Sequence, residues 1–84
     1  MDFWLLDVQS TIKVKGKDVA FDYINTYFDP IEVVNEARLL RENDDILQVL
    51  VVHWNIDEYG NQDAVECIFS YINMNHREMR KGGK

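Results

Sequence analysis

The sequence Asp29-Pro30-Ile31-Glu32 divides this chain into two β-rich halves. Aspartate is a strong helix N-cap, proline at the first helical position arrives with φ already set, and Glu32 occupies the third, as in a capping box. A helix therefore starts at Pro30. Ile31, Val34, Ala37 or Arg38, and Leu40 or Arg41 follow three or four apart, with Val33 and Leu39 widening the apolar stripe and Glu32, Glu36 and Glu42 facing water. The helix should end near Asn43, before Asp44 and Asp45.

On the amino-terminal side, residues 3 to 14 are rich in β-branched and aromatic types. Ile12, Val14, Val19 and Phe21 alternate with polar neighbours around Lys15-Gly16-Lys17-Asp18, which predicts a hairpin. Its second arm, residues 19 to 28, is read as a strand, although Ala20, Ile24 and Phe28 also recur at helical spacing. On the carboxyl side, residues 46 to 56 open with an apolar run on both faces, as a central strand requires. They continue as Val52, Trp54 and Ile56 alternating with His53, Asn55 and Asp57. The sequence Asp57-Glu58-Tyr59-Gly60-Asn61 then resembles a short hairpin loop with glycine at the left-handed position.

The segment after this loop supports two readings. In the preferred reading it is a strand that returns through Val65, Cys67, Phe69 and Tyr71, giving ββαββ. As a helix capped by Asp63 with Glu66 three residues on, it places Val65, Ile68, Phe69 and Ile72 on one face and gives ββαβα with a C-terminal helix. Both are α+β. With 84 residues, the chain is expected to form one α+β domain over residues 1–84, in which residues 77–84 are a basic, frayed tail.

Net charge is −6, unevenly placed. Residues 1 to 17 sum to +1, residues 18 to 66 to −10 and residues 67 to 84 to +3. An acidic midsection repels phosphates, so direct nucleic-acid binding by the body is disfavoured. Arg77, Arg80, Lys81 and Lys84 are the basic exception. The same carboxylates suit a protein partner with a basic surface, including one that otherwise holds nucleic acid, although acidity can also serve only to keep a small domain soluble.

Motifs for bond-making chemistry are missing from the sequence. Cys67 is the single cysteine, so an internal disulfide is excluded, and it reads as a small buried hydrophobe. His53 and His76 have no second histidine or cysteine at zinc-ligand spacing. Asp57, Asn61 and Asp63 offer alternate oxygens, but Tyr59 takes the third position of a calcium loop and Ile68 stands where its bidentate glutamate belongs. The four glycines form no phosphate-cradling array. No catalytic residue, metal or cofactor is therefore assigned. Residues 1 to 8 lack the basic start of a secretory signal, and no apolar run reaches the ~20 residues of a membrane span, so a cytoplasmic protein is expected.

These features favour a small acidic binding protein over an enzyme. Its contact is assigned to Asp44, Asp45, Asp57, Glu58, Tyr59 and Asp63, with Tyr59 as an aromatic anchor at a loop tip. A sharper form is an inhibitor or regulator that mimics nucleic-acid charge. The alternative is a small enzyme or ligand-binding subunit whose site forms between chains around His53, with Asp57 or Asn55. An unpaired edge strand also offers strand addition, to form a homo-oligomer or to capture an extended peptide.

Overall fold

The computed structural model of the chain describes residues 1–74. It is an α+β fold in which β1 (Asp2–Val14), β2 (Lys17–Tyr27), α1 (Pro30–Arg41), β3 (Ile46–Ile56) and β4 (Gln62–Ile72) follow in chain order. The strands form one antiparallel sheet with spatial order β2-β1-β3-β4. The expected basic tail at residues 77–84, and His76, lie outside the described residues.

The hairpin between β1 and β2 turns on two residues, with Val14 paired to Lys17. Lys15 and Gly16 both have positive φ, 52° and 80°, the geometry whose twist matches that of the flanking strands. The turn is thus tighter than the four-residue Lys15 to Asp18 turn expected. Helix α1 begins as its sequence dictates: Asp29 is the N-cap, and its Oδ1 accepts the Ile31 N–H at 2.9 Å. The helix closes at Arg41, with Glu42 as the C-cap.

The helix lies mainly over β3 and β1. Beneath it, Leu6 and Val8 of β1, Val49 and Val51 of β3, and Ile46 pack with Val33 and Ala37 into the buried core. Here the helical stripe needs correction. Val33 and Ala37 are fully buried, whereas Ile31 and Leu39 are 71% and 68% exposed. At 100° per residue Ile31 stands about 200° from Val33, so a helix seated on Val33, Ala37 and Leu40 turns Ile31 to solvent.

β4 settles between the two readings of the last segment and departs from simple alternation. Residues 62–72 are a strand, so the helix that Asp63 could cap does not form there. Pairing with β3 determines the outcome, because a strand here satisfies the outer backbone groups of β3. The strand is irregular: Val51 pairs with Phe69 and Val52 with Cys67, leaving Ile68 as an extra residue, and a second shift follows between His53 and Trp54. Such bulges change which face successive residues occupy. Phe69 and Tyr71 consequently pack against the core, while Cys67 is exposed, not buried as expected. Its thiol donates to the Phe69 carbonyl, at 3.3 Å.

Two polar ties lock the helix–β3 connection. Ser10 and Thr11 donate side-chain hydrogen bonds to the Asp45 carbonyl, and the Thr11 N–H adds a third at 2.9 Å. From the end of β4, Asn73 donates through Nδ2 to the carbonyls of Asp44 and Ile46. Among the described residues no buried side-chain polar atom lacks a partner, as a sound core requires.

Candidate functional site

The residues singled out in sequence fall at opposite ends of β3. Asp44 and Asp45 precede it, while Asp57, Glu58, Tyr59 and Asp63 surround the β3–β4 hairpin, separated by the strand's 11 residues. That is about 36 Å of extended chain. They do not form a single site.

The β3–β4 end is a built structure. Asp57 organises it: its Oδ1 accepts the N–H groups of Tyr59 and Asn61, each at 2.9 Å, and its Oδ2 accepts Asn61 Nδ2 at 3.2 Å. The Gly60 N–H closes on the Asp57 carbonyl, with Gly60 at φ 86°. These bonds, led by the one from the Asn61 backbone, hold the Asp57 carboxyl below its ordinary pKa. Asp57 is therefore committed to the loop, and the groups it presents are Glu58, Tyr59 and Asp63. Tyr59 is 82% exposed, standing clear of the sheet instead of folding back over it.

Strand register brings to this end Asp2, Trp4 and Glu66, which the sequence did not indicate, beside His53 and Asn55, which it did. Asp2 pairs with Asn55, and Asn55 with Asp63; Trp4 pairs with His53, and His53 with Glu66. Asp2 Oδ1 accepts Asn55 Nδ2 at 2.9 Å and lies 3.1 Å from His53 Nε2. The bond from Asn55, then that with His53, keeps Asp2 below the usual carboxylate range. The residues are 51 or more positions apart in the chain, so only the β1–β3 pairing could reveal them. His53 is thus oriented by Asp2 and not by Asp57, and its ring stacks on Trp4 with centroids 4.8 Å apart.

Five carboxylates, those of Asp2, Asp57, Glu58, Asp63 and Glu66, occupy this end of the molecule. The opposite tip of the 49 Å long fold carries Lys13, Lys15 and Lys17, with Lys13 bridged to Asp18 at 2.8 Å. Charge is polarised along the sheet. Among the described residues no three His, Cys, Asp or Glu groups are placed to hold a metal, and none of their helices is long and apolar enough to cross a membrane.

Comparison with protein-family models, curated proteins and solved structures found no significant match.

Proposed function

We propose that this protein is a non-enzymatic binding module that docks its acidic β3–β4 end onto a basic face of another protein. The observation that carries this reading is Tyr59, 82% exposed on a loop already fixed by Asp57. An aromatic held in place before contact loses little conformational freedom on binding, and tyrosine combines an apolar ring with a polar tip. Glu58, Asp63 and Glu66 around it supply attraction at a distance, which favours fast, oriented encounter with a cationic surface. Where that surface normally holds nucleic acid, the protein would act as a charge-mimicking inhibitor or regulator.

The test is affinity capture from a native extract with wild type and a Glu58→Gln, Tyr59→Ala, Asp63→Asn variant, at low and high salt. A partner retained by wild type at low salt, released at high salt and lost with the variant supports the proposal. Equal capture by both proteins, or retention insensitive to salt, would refute it.

A second reading places a small enzyme or ligand-binding site at His53. The Asp2–His53 contact favours it, since a carboxylate that orients an imidazole is the usual companion of a general base. Unchanged turnover by His53→Gln in a substrate screen would remove that reading.

A further inference from the structure

The sheet has two faces, and α1 covers one of them. Leu6, Val8, Val49 and Val51 point towards the helix, so alternation sends their neighbours to the other face. Register assembles those neighbours into rows: Thr26, Leu5, Val52 and Cys67; Ile24, Asp7, Leu50 and Ser70; Asp22, Gln9, Gln48 and Ile72. Trp54 and Phe3 stack at the next row, 6.5 Å between centroids. Nothing in the chain's described residues lies over this face, yet beside Asp7 it carries a continuous apolar strip. Leu5, Leu50, Val52 and Trp54 are half-buried, and Ile24 and Ile72 remain 59% and 45% exposed.

We propose that a second copy of this chain covers the open face, giving a symmetric dimer in which the two sheets pack against each other. Charge placement selects that occupant. In a chain of net charge −6, the carboxylates gather at the β3–β4 end, on the helix and in its flanking loops. The open face carries only Asp7, Asp22 and the Lys13–Asp18 pair among the described residues. Two copies meeting there bring apolar rows together and only Asp7 and Asp22 of each copy close to one another, whereas a cationic partner would find two carboxylates among apolar neighbours.

Size agrees. Four strands about 4.8 Å apart and eleven residues long at about 3.3 Å each present roughly 700 Å², close to the ~800 Å² per partner of a stable interface. A symmetric dimer needs a self-complementary patch, and the apolar strip of Leu5, Leu50, Val52 and Trp54, bordered by Asp7, Gln9 and Gln48, is one. The dimer is independent of the partner contact proposed for Tyr59, which projects from the end of the sheet.

Sedimentation velocity of the full chain from about 1 to 100 µM tests this, together with the rate at which a maleimide labels Cys67 in the Leu5–Val52 row. The expected results are a species of twice the 9.9 kDa chain mass and Cys67 labelling that slows as that species forms. Ile24→Glu with Ile72→Glu alters side chains already exposed in the single chain, so it should fold with an unchanged circular dichroism spectrum. It adds like charge beside Asp7 and Asp22 and should weaken dimerisation by at least about 100-fold. Ile31→Glu, on the outer side of α1, should leave the dimer intact, as should the Tyr59 variant. A monomer at every concentration, a dimer indifferent to the paired glutamates, or a dimer abolished by Ile31→Glu would each overturn the proposal.

Discussion

His53 lies flat against Trp4, with ring centroids 4.8 Å apart and planes 14° from parallel, across the central β1–β3 pair. Trp4 and its strand partner Tyr27 pack against the buried core, so the stack ties His53 to it. Cross-strand aromatic pairs of this kind contribute ~1 kcal/mol beyond the area they bury. His53→Ala should therefore lower unfolding free energy in urea by about that amount. In a Trp54→Phe background, which isolates Trp4, the same change should shift tryptophan emission to longer wavelength.

The β1–β2 turn stores a correctable strain. Lys15 adopts φ 52° although it is not glycine, and side chains with Cβ pay roughly 1 kcal/mol there. Lys15→Asn, which suits this turn, should raise the melting temperature by about 4–8 °C. Gly16→Ala should do the reverse. No atom lies within 4 Å of the added Cβ, so its cost is purely conformational, again about 1 kcal/mol.

Core and surface leucines should respond very differently to truncation. Leu6 is 1% exposed beneath the helix, and Leu6→Ala should cost ~3 kcal/mol, a large share of the stability of so small a domain. Leu39→Ala on the outer side of α1 should stay within about 0.5 kcal/mol of wild type. Equal effects by chemical denaturation would show that α1 docks by another face.

Acid should loosen the β3–β4 loop first at Asp57. Its folded-state pKa lies below the ordinary 3.8 because backbone and side-chain donors favour the carboxylate. The stabilisation it gives is therefore complete above the unfolded value and is lost as pH falls through the lower, folded one. Amide exchange at Tyr59 and Asn61, measured by NMR and corrected for intrinsic rates, should show protection falling in that window. Asp57→Ala should show low protection at every pH.

The amino-acid sequence determined those features whose causes lie within a few residues of each other. Asp29 and Pro30 start the helix because capping and a preset φ are local effects. Gly60 marks a turn because glycine alone enters left-handed φ without strain, and Val49 to Val52 mark a central strand because both their faces are apolar. The exposed Tyr59 was legible for the same reason, being at a loop tip. Tertiary structure decided whatever depended on phase or register. The residues of β4 carry both helical and strand periodicity, and pairing with β3 settles between them. Its bulges then send Phe69 inward and Cys67 outward, an inversion invisible to simple alternation. The helix offered several adjacent apolar stripes, and docking on the sheet selected Val33 and Ala37 over Ile31. Asp2, His53 and Asn55 meet across more than 50 residues of chain, because backbone hydrogen bonding fixes a register that no local preference encodes.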